Sequence, residues 1–88
     1  AVKAENWALL IGIDQYEDTN HINNLGGAAA DAKALQQLLV RDMGFPEANT
    51  ELLLSQNATK ARILAALTRL KARAKKGDLV FVFYAGHG

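Results

Sequence analysis

Residues 79–88, Leu-Val-Phe-Val-Phe-Tyr-Ala-Gly-His-Gly, limit what this chain can fold into more than any other stretch. No charge interrupts the first six, and such an apolar run reads as a buried central strand of a parallel sheet. Small residues then bracket a single histidine, His87, at the strand's carboxyl end. In open α/β sheets that end gathers ligands and chemistry, and histidine is the side chain best suited to move protons near neutral pH.

The remaining pattern supports a parallel sheet. Trp7-Ala8-Leu9-Leu10-Ile11-Gly12-Ile13 is apolar on both faces, which predicts a central first strand ending at Asp14. Residues 15–27 form a long polar connection. Helical spacing of Ala28, Ala32, Leu35 and Leu39, with Leu38 beside them, predicts a helix over 28–43 stopped by Gly44. Glu51-Leu52-Leu53-Leu54 is a short second strand, and Thr59 is a suitable N-cap for a second helix. Its apolar stripe is Ile63, Leu67, Leu70 and Ala74, widened by Leu64. The fold class is therefore α/β, a β-α-β-α-β unit with right-handed crossovers. If the third strand lies on the far side of the first from the second, the helices cover opposite faces. Asp14, the 15–27 loop and His87 then converge at a switch point.

Composition excludes several chemistries. None of the 88 residues is cysteine, so the chain has no disulfide, thiolate metal site or thiol nucleophile of its own. The length fits one domain over 1–88, and no apolar run reaches bilayer-spanning length, so the expectation is a cytoplasmic protein without a membrane partner. Seven of the ten basic residues lie between Lys60 and Lys76 with no acid among them. That segment lacks interleaved aromatics and reads as a solvated face, not a nucleic-acid surface.

Taken in order, Leu9-Leu10-Ile11-Gly12-Ile13, Leu25-Gly26-Gly27-Ala28-Ala29-Ala30-Asp31-Ala32, Gly44-Phe45, Ala58-Thr59-Lys60 and Phe83-Tyr84-Ala85-Gly86-His87-Gly88 resemble the successive landmarks of the caspase-like cysteine peptidases, and of their metacaspase branch, bacterial members included. The resemblance spans nearly the whole chain. It implies a three-layer caspase-like fold with a mainly parallel sheet, of which this chain supplies the first β-α-β-α-β portion. It further implies that His87 is the histidine of a Cys-His dyad and that the backbone N–H of Gly88 helps hold the oxyanion. Asp31 corresponds to an aspartate lining the pocket for the residue before the scissile bond, where a carboxylate selects arginine or lysine. An acid in a helix's first turn is equally explained by the helix dipole.

Departures from the family pattern bear on selectivity. Leu25 stands where true caspases carry the arginine that recognises aspartate, so aspartate selectivity is not expected. Ala28 and Ala85 replace a cysteine and a serine common in metacaspases, which makes the substrate pocket less polar. Asp14 either contributes to the same cleft or ends a strand. His21 reads as a surface residue of the loop, and Ser55 does not stand where a nucleophile is required.

The family's catalytic cysteine follows a later strand, beyond Gly88. The resemblance therefore implies a cysteine endopeptidase acting on peptide or protein substrates after arginine or lysine, with the remainder of the peptidase domain as the partner that brings the thiol. No cofactor is expected within this chain, and calcium in the complete protein would be bound by residues outside it. Two alternatives stand beside this reading. One is a caspase-like fold kept as a non-catalytic interaction module. The other is a phosphate-binding domain using Gly26, Gly27 and the following helix N-terminus, although neither a Walker loop nor GxGxxG is present.

Overall fold

The structure is a computed structural model that describes residues 4–14 and 27–86. Three strands, β1 (Asn6–Gly12), β2 (Thr50–Leu54) and β3 (Leu79–Ala85), alternate with two helices, α1 (Ala28–Arg41) and α2 (Lys60–Arg73). All strand pairs are parallel, in the order β2-β1-β3. Ala8 pairs with Thr50 on one side and with Phe81 on the other. The first strand is thus central, as its apolar faces predict, and the strand order that the sequence leaves open is the one that places β2 and β3 on opposite sides of it.

Alternation along β1 divides the core between the two sheet faces. Ala8 and Leu10 face α1 and pack with Ala32, Leu39 and Phe45, with Leu35, Phe81 and Phe83 against them. Leu9 and Ile11 face α2 and pack with Leu53 and Ala66, with Ile63 and Leu70 alongside. Leu9 and Leu10 retain 1% and 0% of their exposure, and each stabilises the fold by about 1.5–3 kcal/mol through burial. A fully apolar strand is what a sheet covered on both faces requires.

The helix ends follow from local chemistry. Thr59 Oγ1 accepts from the Arg62 N–H at 3.1 Å and caps α2 as expected. α1 ends two residues sooner than the periodicity predicts: Met43 N–H donates to Leu38 O and Phe45 N–H to Leu39 O, while Gly44 takes φ +77°. This left-handed turn satisfies the last carbonyls and drops Phe45 into the core.

Two expectations are corrected. β3 is not central among the described residues; it is the outer strand, and Val80, Val82 and Tyr84 are about half exposed on the α2 face. The cause is that α2 packs over β1 and β2 and leaves that face of β3 uncovered. The stripe of α2 also differs, since Ala66 faces the sheet with Ile63 and Leu70 while Leu64 and Leu67 are exposed. Leu38 of α1 is exposed as well.

At the amino ends of β1 and β3, Asp78 joins chain segments distant in sequence. Its Oδ1 accepts from the Glu5 N–H at 3.0 Å, and its Oδ2 from the Trp7 indole at 2.9 Å and the Lys75 N–H at 2.8 Å. The Glu5 N–H, with the Lys75 N–H and the Trp7 indole, holds the Asp78 carboxyl below its usual range. The Arg73 guanidinium lies 5.6 Å from the centre of the Trp7 ring on this side. Asn49 adds a further tie, donating to the Asn6 carbonyl at 3.1 Å.

Candidate active site

Helices that follow strands in a parallel sheet begin at the strands' carboxyl ends, so this end of the sheet gathers the start of α1, the start of α2 and the ends of β1 and β3. The approach of α1 depends on Gly12. A Cβ there would lie 2.9 Å from both the Ala28 carbonyl carbon and the Ala29 Cα, and closer still to the Ala28 oxygen. Only a residue without a side chain lets the first turn of α1 sit on the end of β1. The Gly27 carbonyl, at the mouth of that turn, accepts from the Asp31 N–H at 2.6 Å.

Three of the five site residues expected from the sequence fall among the described residues. Asp31 lies exposed in the first turn of α1, where both its substrate-binding and its dipole explanations place it. Ala85 ends β3, partly buried, and its carbonyl accepts from the Ile13 N–H at 3.0 Å, so the β1–β3 ladder continues past the last paired strand residues. Asp14 follows directly on β1. His87 and Gly88 lie outside the described residues, as do His21, Leu25, Gly26 and nearly all of the 15–27 loop.

The surroundings of Asp14 are the most informative part of the site. Its backbone N–H donates to Ser55 Oγ at 3.3 Å, which ties the end of β1 to the turn that follows β2. Ser55 holds φ +47°, the left-handed region that a residue with a Cβ rarely enters. Asp14 Oδ1 is buried and has no hydrogen-bond partner among the described residues. Such an unmet acceptor costs about 1–3 kcal/mol, more when it is charged. Sequence reasoning dismissed Ser55 as a nucleophile and missed it as a support, and no local signal marks a serine for that task. Gly12 was legible only as part of a motif.

No group of three or more metal-ligating side chains occurs among the described residues. Nor is any helix there long and apolar enough to cross a membrane. A cleft of about 240 Å³ opens at the other end of the sheet, lined by Trp7, Thr50, Arg69 and Arg73 among others. None of the site residues expected from the sequence is among its described lining, and the ion-paired Arg69 and Glu51 both line it.

Comparison with known proteins agrees with this geometry. The family described as Caspase domain matches residues 5–88. Metacaspase-1A of Aspergillus oryzae is 39% identical over 87 residues, covering 92% of this chain and 20% of its own length. Metacaspase-6 and Metacaspase-9 of Arabidopsis thaliana are 37% and 35% identical, again over 92% of this chain and over 23% and 26% of their own lengths. The chain thus spans about a quarter or less of these curated relatives. Its landmark motifs, its strand order and these matches agree, and the chain belongs to the caspase-domain family of cysteine peptidases, in the company of the metacaspases.

Proposed function

We propose that this chain is the histidine-bearing portion of a cysteine endopeptidase domain that cleaves peptide bonds after arginine or lysine. The observation that carries the reading is the match to the caspase domain over 5–88. The strand order supports it, because β3, the strand that the Gly86-His87-Gly88 motif follows in sequence, runs beside the central strand.

In the proposed reaction the His87 imidazole takes the proton of a cysteine thiol supplied by the rest of the domain. The thiolate adds to the scissile carbonyl, and the oxyanion is held by the Gly88 N–H. Collapse breaks the C–N bond, and the imidazolium returns its proton to the departing amine. Water then hydrolyses the thioester with the same histidine as base. Asp31, exposed at the start of α1, offers its carboxylate to a cationic side chain, and Ala85 contributes a small, non-polar wall. Without a thiol, the 88 residues alone hydrolyse nothing.

The test is cleavage of fluorogenic peptides ending in arginine, lysine or aspartate by the full-length protein. Cleavage after arginine or lysine, abolished by His87→Ala and weakened chiefly in KM by Asp31→Asn, is the expected result. Absence of cleavage on every peptide would replace this reading with a non-catalytic interaction module.

A further inference from the structure

The cleft at the amino ends of β1 and β2 lies at the far end of the sheet from the strands' carboxyl ends, a distance of about 20 Å along a strand of this length. Its making follows from the sequence. On α2, Ala66, Arg69, Leu70 and Arg73 recur at helical spacing and line one side of it. Trp7 and Leu9, which alternate towards α2 along β1, line another. Ala66 is buried against the sheet, and its single methyl leaves open the space that a larger side chain would fill. The floor is therefore apolar and the rim is charged.

The charges of that rim are unevenly matched. Arg69 is paired with Glu51, and with the two side chains 52% and 37% exposed the pair is weak and opens readily to a better partner. Glu5 Oε1 accepts from Asn49 Nδ2 at 3.2 Å. Both oxygens of Asp78 are taken by the Trp7 indole and by the main-chain N–H groups of Glu5 and Lys75. Each of these carboxylates has its donor. Arg73 has no acceptor: its guanidinium lies over the Trp7 ring and makes no hydrogen bond or ion pair among the described residues. Stacking on the indole fixes the plane of that guanidinium and leaves its N–H fork unused.

We propose that this cleft is a docking site for an acidic peptide segment, in which one carboxylate takes the N–H fork of Arg73 while Arg69 exchanges Glu51 for a second acid of the segment. Arginine, unlike lysine, meets a carboxylate with two parallel hydrogen bonds, and both residues lining the cleft are arginines. The volume of about 240 Å³ falls below the roughly 300–1,000 Å³ of sites that enclose a whole small molecule, and it suits single side chains. Leu9, Ala66 and Leu70 offer apolar surface to the methylenes of a glutamate. A nucleic acid fits less well, because Trp7 is only 7% exposed beneath Arg73 and presents no free ring face to a base. Lys75 and Lys76, exposed just beyond α2, extend the positive field that draws an acidic chain in. The site needs neither His87 nor a thiol, and it stands apart from the peptidase reading.

The test is the fluorescence anisotropy of fluorescein-labelled hexaglutamate titrated with the full-length protein. Hexaglutamate contains neither arginine nor lysine, so the proposed cleavage leaves it intact and binding is read separately from activity. Binding that weakens as salt rises is expected, with none to hexaglutamine. Arg73→Ala should weaken it about tenfold or more, and Arg73→Lys should recover only part of the loss, since an ammonium lacks the fork. Glu51→Gln releases Arg69 and should tighten binding. Lys71→Ala removes the same charge about 200° round the helix from Arg69 and should leave the affinity within about twofold of wild type. Absence of hexaglutamate binding, or an equal loss in Lys71→Ala and Arg73→Ala, would overturn the proposal. A labelled oligouridylate bound more tightly than hexaglutamate, with the same dependence on Arg73, would overturn it in favour of nucleic acid. If Arg73→Ala does not fold, unchanged binding in both Arg73→Lys and Arg69→Gln overturns it alone.

Discussion

Replacing Gly12 with alanine probes the seat of α1 on the sheet with one carbon atom. The added Cβ would stand 2.9 Å from two backbone atoms of Ala28 and Ala29, whereas ordinary contact begins at 3.4 Å. The first turn of α1 must therefore retreat by at least about 0.5 Å, and as the obstructing atoms are main chain, no rotamer change relieves them. Overpacking of this kind costs about 1–3 kcal/mol, and backbone obstruction puts it in the upper part of that range. Alanine also stiffens the unfolded chain, which offsets about 0.4–1 kcal/mol. The expected net loss is about 1.5–2 kcal/mol. The single tryptophan, Trp7, is buried and bonded to Asp78, so its fluorescence follows unfolding. At a urea dependence of about 1 kcal/mol per molar, the midpoint should fall by roughly 1.5–2 M. Gly44→Ala is the comparison: a Cβ there meets nothing within 4 Å, and only its φ of +77° opposes it. That change should cost about 1 kcal/mol. A Gly12→Ala midpoint within about 0.5 M of wild type, at the same slope, would refute the close approach.

Other substitutions test separate parts of the fold. Leu10→Ala, at a position with no exposure, should lose about 3–4 kcal/mol by cavity formation, while Leu64→Ala on the exposed side of α2 should change stability by less than about 0.5 kcal/mol; urea midpoints measure both. Thr59→Ala removes the N-cap of α2 and should cost about 1 kcal/mol, read in the same assay. The Asp78 carboxyl titrates lower in the folded chain than its unfolded value of about 3.9, so its contribution is full above that pH and disappears as pH falls through the folded value. The midpoint difference between wild type and Asp78→Asn should thus be constant from pH 7 to about 5 and shrink below about pH 4. A difference that does not change with pH would contradict the role given to that carboxylate.

The sheet was largely legible because its strands carry unbroken apolar runs between two well-patterned helices, whereas the three-layer arrangement came with the family resemblance, since chain order leaves the strand order open. Periodicity could not show how much of each face is covered. Val80 and Val82 look as apolar in sequence as Leu9 and Leu10, yet the first pair lies beyond the reach of α2 and the second beneath a helix on each face. The stripe of α2 was misread for the same reason, since Ala66 is small and Leu67 large, and size alone does not reveal which one faces the sheet. Asp14 stands out in the sequence by its place after a strand, where it either joins the cleft or ends the strand. Its support from Ser55 is a contact across 41 residues that no local pattern encodes.

The central position of β1 also sets the order in which the protein can be made. β1 leaves the ribosome before β2 and β3, and it is these later segments that pair with its two hydrogen-bonding edges. Its last tie, between Glu5 and Asp78, spans 73 residues. At synthesis rates of about 5–20 residues per second, that interval is roughly 4–15 s. Throughout it, this apolar strand has no native partner on at least one side, and its contacts, all distant in sequence, form slowly. The residues that organise the finished sheet are thus ones that need shelter, by ribosome or chaperone, before β3 arrives.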